Sequence, residues 1–156
     1  MASTYDALGI AKLLPHRGDA LFVSFARVDG DEAHGEASWS KHHPVLQGHF
    51  PARAIVPAVF LIEAAAQLAG ILIASRHVGT PGLGMLAAVR KSLIHAPANP
   101  DEKVFYSLRV SGNAQAMFSV QGTGMLQDKT KIITFDLLIA AKDSEVGVAH
   151  GVKNEK

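Results

Sequence analysis

Glu63 is the only carboxylate in the apolar stretch from Ile55 to Ala74, and His49 lies in the segment that leads into it. A buried, unpaired carboxylate is costly. Such a group next to a possible proton partner is more often chemistry than packing. Burial disfavours the charged form and would keep Glu63 protonated near neutral pH, the state of a general acid. Histidine is the usual base in that range. The plainer alternative pairs Glu63 with an arginine in the core. Gln67 follows Glu63 by one helical turn and shares its face, and Gly70 and Ala74 extend that face with small residues. Such a stripe fits a cavity or a close helix–helix contact. A third part comes from the backbone. The first N–H groups of a helix lack internal partners and carry partial positive charge. The amides of Ala58 and Val59 could therefore polarise a carbonyl and hold a developing enolate. A base, an acid and an oxyanion site suit removal of an α-proton with loss of a β-hydroxyl.

The other histidines compete with this reading, since the chain holds eight. His42, His43 and His49 lie close enough in sequence to suggest a metal cluster, but loop spacing alone is weak and no acidic shell accompanies them. No metal is assigned. His16, His34, His77, His95 and His150 carry no motif of their own.

Positioning these groups requires a helix behind a loop. A loop is expected from Lys41 to Val56. Pro57 fits the first helical position, where its missing N–H costs nothing, and the helix is expected to run to about His77. Gly79, Pro81 and Gly82 would stop it. Its apolar residues cover nearly every face, so it must be buried on all sides. Its length matches a bilayer span, but Pro57, Glu63 and Gln67 interrupt it and strand-like segments surround it. Before the helix, residues 20–28 and 32–40 read as strands split by the turn signal Asp29-Gly30. After it, residues 84–94, 103–110, 115–126 and 131–140 read as strands, with turns at Gly112-Asn113 and Asp128-Lys129. Two strands, one long helix and four strands give an α+β layout with the helix wrapped by a curved antiparallel sheet.

The 156 residues suit one compact domain. It is expected over residues 1–141, followed by a polar tail, 142–156, that frays. With 15 basic and 14 acidic residues, the chain has no nucleic-acid footprint. It has no cysteine, which excludes disulfides and Cys-based metal or redox sites. No secretory signal is visible at the N-terminus, so a cytoplasmic protein without membrane attachment is expected.

"LLPHR" at 13–17 and "GHFPARAIVPAVFLIEAAAQLAG" from residue 48 resemble the β-hydroxyacyl-acyl-carrier-protein dehydratase family, which has the hot-dog fold. The similarity extends from about Leu13 to Ala141. It implies that His49 is the catalytic histidine and Glu63 the catalytic carboxylate, brought into one site from different subunits of a dimer. It also implies that Phe50, Pro57, Ala58, Val59 and Gln67 line the substrate site, with the Ala58 amide on the thioester carbonyl and Gln67 orienting Glu63. Ala58 stands where the family usually has glycine, and Ala52 and Ala54 replace a usual glycine and proline. These departures bear on substrate choice more than on the acid–base pair. The implied reaction converts 3-hydroxyacyl thioesters, linked to a carrier protein or to CoA, into trans-2-enoyl thioesters, in fatty-acid or polyene/polyketide-type biosynthesis. No cofactor is needed. The implied partner is an acyl carrier protein bearing a phosphopantetheine-linked acyl chain, which Arg17, Arg53, Arg90 and Lys91 could meet if they are not simply solvated surface. The implied assembly is a homodimer or trimer of dimers, or a heterodimer. The competing readings are a hot-dog acyl thioesterase and a non-catalytic partner subunit of a heteromeric dehydratase.

Overall fold

The computed structural model describes residues 1–76, 83–112 and 116–142. The helix stop expected at Gly79 to Gly82, Asn113 of one expected turn, and the tail beyond Lys142 lie outside the described residues, as do His77 and His150.

The chain forms β1 (Ser3–Tyr5), α1 (Ala7–Leu13), β2 (Val23–Asp29), β3 (Glu32–Ala37), α2 (Pro44–Gly48), α3 (Ala58–Arg76), β4 (Leu83–Ile94), β5 (Val104–Ser111), β6 (Met117–Met125) and β7 (Lys131–Lys142). All strands join one antiparallel sheet in the order β1-β2-β3-β5-β6-β7-β4. α3 touches β2 through β7 as well as α1. The expected arrangement, a long helix wrapped by a curved antiparallel sheet, is therefore present. All six expected strands appear.

Period-two patterning explains the wrapping. In β5, Val104, Tyr106, Leu108 and Val110 are buried, while alternate positions face outward. In β3, Ala33, Gly35 and Ala37 point inward, and Leu68 of α3 lies against Gly35 so closely that a Cβ there would come within 2.7 Å of it. Tyr106 donates from its hydroxyl to Leu61 O at 3.0 Å, joining sheet to helix, and burial pushes its phenol pKa up. At the far end of α3, Arg76 donates to Gly30 O at 2.8 Å and pairs with Asp31 at 2.6 Å, tying the helix C-terminus to the β2–β3 turn. A cation in this last turn also complements the helix dipole. Alanines at 64, 65, 66, 69 and 74 favour the helix.

Several expectations change. The segment from Lys41 to Val56 is not all loop, because α2 occupies Pro44–Gly48. Pro44 begins this helix, the His43 ring accepts from Val45 N at 3.2 Å, and Leu46 anchors it in the core. Pro57 precedes α3 rather than opening it, and its carbonyl accepts from Phe60 N at 2.9 Å. α3 is not buried all round in the single chain. Its face toward the sheet is buried from Leu61 to Ile73, but Val59 in the first turn is 66% exposed. β1 and α1 precede the first expected strand. α1 is capped by the Asp6 side chain, which accepts from Gly9 N at 2.9 Å.

Candidate active site

α2 delivers His49. This residue caps the C-terminus of α2, with its N–H donating to Val45 O at 2.9 Å. The chain then turns sharply through Phe50, a non-glycine residue at φ 53°, and Arg53 N donates to Phe50 O at 2.9 Å. Val56 N donates to Ala98 O at 2.9 Å, pinning the far end of the turn to the segment after β4. The His49 ring is thereby held with Nδ1 at 3.3 Å from Ile55 O. A carbonyl only accepts, so Nδ1 is the donor in this contact, which in the neutral ring leaves the lone pair on Nε2. The Phe50 ring stands edge-on to His49, with centroids 4.6 Å apart.

His49, Phe50, Ile55, Ala58 and Leu61 line one cavity of about 470 Å³, closed on its other side by Ile94 and the segment from His95 to Ala98. The amides of Ala58 and Val59 make no hydrogen bond among the described residues. His49 and Ala58, the first residue of α3, thus line one apolar cavity, and among the described residues neither His49 Nε2 nor the Ala58 amide has a hydrogen-bond partner. Val59 and Pro57 do not line it.

Glu63 sits elsewhere. With Gln67, Gly70 and Ala66 it lines a second cavity of about 120 Å³, bounded by Leu13 to His16 and by Gly84 and Leu86 of β4. It is not the buried, partnerless carboxylate expected, nor is it paired with an arginine. Its side chain is 37% exposed, and its Oε1 lies 3.2 Å from His16 Nε2 and 3.0 Å from Gln67 Nε2. Gln67 is the buried polar residue of α3, at 2% exposure. Its Oε1 accepts from Phe22 N at 2.9 Å, while its Nε2 donates to Ala20 O at 2.8 Å and to Glu63. The two backbone partners fix the orientation of the amide. Gly70 admits Leu14, which would come within 3.2 Å of any Cβ at that position, so the small-residue stripe serves both a cavity and the contact of α1 with α3.

His49, Phe50 and Ala58 are therefore gathered in one cavity and Glu63 and Gln67 in another, the two cavities sharing no lining residue. His16 had no motif to recommend it beyond "LLPHR"; its contact with Glu63 spans the chain from the end of α1 to α3. Other expected contributors are already engaged. Arg17 donates to Ala11 O, Leu14 O and His16 O, closing the end of α1, and Arg90 donates to Ser119 Oγ at 2.7 Å. His43, once a candidate ligand, caps α2, and its Nε2 lies 3.2 Å from Asp19 O.

Residues 26–132 match the family model described as ApeI-like, ApeI dehydratase. A 3-hydroxyacyl-[acyl-carrier-protein] dehydratase FabZ from Rhizobium johnstonii is 36% identical over 110 residues, covering 69% of this chain and 70% of that protein. Its counterpart from Thermoanaerobacter sp. is 28% identical over 123 residues, 78% of this chain and 87% of the relative. Among solved structures, the dehydratase heterocomplex ApeI:P from Xenorhabdus doucetiae superposes with a TM-score of 0.70 at 18% identity, over 86% of this chain and 91% of that one.

Proposed function

This chain belongs to the ApeI-like dehydratase family, and from that membership we propose that it dehydrates 3-hydroxyacyl thioesters through His49 and Glu63. The observation that carries the proposal is the one apolar cavity that His49 and Ala58 both line, with the His49 ring held through Nδ1 by Ile55 O. His49 Nε2 takes the C2 proton. The Ala58 N–H holds the thioester oxygen as negative charge develops on it. The C3–O bond breaks, and Glu63 delivers its proton to the departing hydroxyl, so that water and a trans-2-enoyl thioester leave. Proton exchange from His49 to Glu63 restores the starting state. Gln67 holds the carboxylate in place during this cycle.

In the dimer we propose, His49 of one chain works with Glu63 of the other. β4 supports this arrangement. It is a long edge strand, and Met85, Leu86, Val89, Leu93 and Ile94 are exposed on it. Long apolar edges are normally paired. The Glu63 cavity borders β4 at Gly84 and Leu86, and the His49 cavity borders it at Ile94. Antiparallel pairing of two β4 edges about a two-fold axis carries the Ile94 end of one strand to the Leu86 end of the other. Each His49 cavity then approaches the partner's Glu63 cavity, and the exposed first turn of α3 gains cover. The partner chain is a second copy or a related subunit. The acyl group arrives on an acyl carrier protein, in fatty-acid or polyketide-type synthesis in the cytoplasm. Of the four basic residues expected to meet that acidic partner, Arg53 and Lys91 are exposed and make no ion pair or side-chain hydrogen bond among the described residues.

The test is spectroscopic. Crotonyl thioester absorbance falls as the enzyme adds water across the double bond, and mass spectrometry of a 3-hydroxyacyl thioester shows loss of water. Release of free thiol with no hydration on carrier-protein or CoA substrates would instead identify a thioesterase.

A further inference from the structure

We propose that His16 is a positioning residue for Glu63, holding one carboxylate oxygen so that the other faces the reacting atoms. The inference rests on the dehydratase reading. His16 Nε2 and Gln67 Nε2 both approach Glu63 Oε1, at 3.2 and 3.0 Å. Among the described residues no group donates to Oε2. An oxygen that already accepts two hydrogen bonds is the poorer site for a transferable proton, so in the acid form that the proposed reaction requires, Oε2 would carry it.

The tautomer of His16 follows from its other nitrogen. Nδ1 is buried and has no hydrogen-bond partner among the described residues. An N–H there would be an unsatisfied buried donor, which costs more than an idle lone pair surrounded by carbon. The hydrogen therefore sits on Nε2 and points at Glu63.

The backbone around this ring is braced on both sides. Pro15 precedes it, and the Arg17 guanidinium grips Leu14 O at 2.7 Å, His16 O at 2.6 Å and Ala11 O at 2.7 Å. An ion pair made by chance at a surface would need neither a shared acceptor oxygen nor a braced donor. The two anchors differ in origin. Gln67 comes from the same helix as Glu63, whereas His16 comes from the segment after α1, so the carboxylate is fixed from two directions.

Three variants test this by steady-state hydration of a crotonyl thioester. His16→Leu fills the space without a donor and should lower kcat about 10–100-fold, the usual loss for a positioning partner, with KM changed less than about threefold by comparison. His16→Gln places an amide Nε2 near the same point and should recover most of that loss. In a Glu63→Gln background, His16→Leu should cost almost nothing more, because the carboxylate it serves is gone. Equal losses in His16→Leu and His16→Gln, an effect on KM alone, or a full additive loss in the Glu63→Gln background would overturn the inference. NMR adds a readout independent of turnover and of the fold of His16→Leu. ¹⁵N-labelled wild type should show an exchange-protected, downfield His16 Nε2–H proton that vanishes in Glu63→Leu, and its absence from the wild type would also overturn the inference. Wild-type protein without hydratase activity removes the dehydratase reading and this inference together. An active wild type with unaffected His16 variants removes the inference alone.

Discussion

Around Glu63 and His49, backbone groups set the direction of each side chain. Ile55 O faces His49 Nδ1, and Ala20 O and Phe22 N hold the Gln67 amide that in turn holds Glu63. His49→Ala and Glu63→Gln should fold normally and lose about 10²–10⁴-fold in activity, the usual contribution of a positioned acid or base. Retention within about threefold of wild type by either, far short of that range, would show that its assigned role is wrong. Gln67→Leu should behave differently from both. It leaves Phe22 N and Ala20 O without their buried partner, so it should cost about 1–3 kcal/mol of stability in a denaturant melt, besides lowering activity.

Among the elements, the middle of the sheet leaves no room for a side chain at one position of β6. A Cβ at Gly122 of β6 would sit 2.3 Å from Ser107 O of β5 and 2.8 Å from Phe135 of β7. Gly122→Ala should therefore destabilise the protein by about 1–3 kcal/mol through overpacking, measurable as a lowered denaturation midpoint. The β6–β7 turn offers a pH-dependent counterpart. The Thr130 backbone N–H donates to Asp128 Oδ1 at 2.9 Å and holds that carboxyl below the ordinary aspartate range. A lowered folded-state value stabilises the protein above the unfolded pKa and ceases to do so as pH falls through the folded one. Asp128→Ala should thus lower Tm slightly at neutral pH, and the gap from wild type should close as acid protonates Asp128. A gap that stays constant down to the acid limb would show that the side chain contributes through something other than its charge.

For the whole molecule, the β4 edge and the exposed first turn of α3 call for a partner. Light scattering at micromolar concentration should report a dimer or a multiple of one, and a monomer would reject the arrangement. Val89→Lys, on the exposed part of β4, should shift that equilibrium toward monomer and reduce activity with it, since a composite site needs both chains. Mixing inactive His49→Ala with inactive Glu63→Gln should restore about a quarter of wild-type activity. Half the dimers are then mixed, each with one intact site of two. Mixed dimers confirmed by mass spectrometry but without recovery would place the whole site in one chain.

The six strands from Val23 onward and the long helix are legible in the residues because their signals are local: alternation in β5, glycine turns, a long apolar run rich in alanine. The acid–base candidates are legible for a similar reason, since Glu63 stands alone among apolar neighbours and "GHFP" sits just before the helix. α2 is not, because its five residues make too short a periodic pattern and its stability comes from Leu46 in the core and the His43 cap. The partners of Glu63 are not legible either. One turn of helix explains Gln67, but His16 reaches Glu63 from a separate segment, beside the end of α1 over which Arg17 folds back. The separation of His49 and Glu63 into two cavities lies still further from any local pattern. It depends on where β4 passes each end of the helix, and that is fixed by packing between residues far apart in the chain.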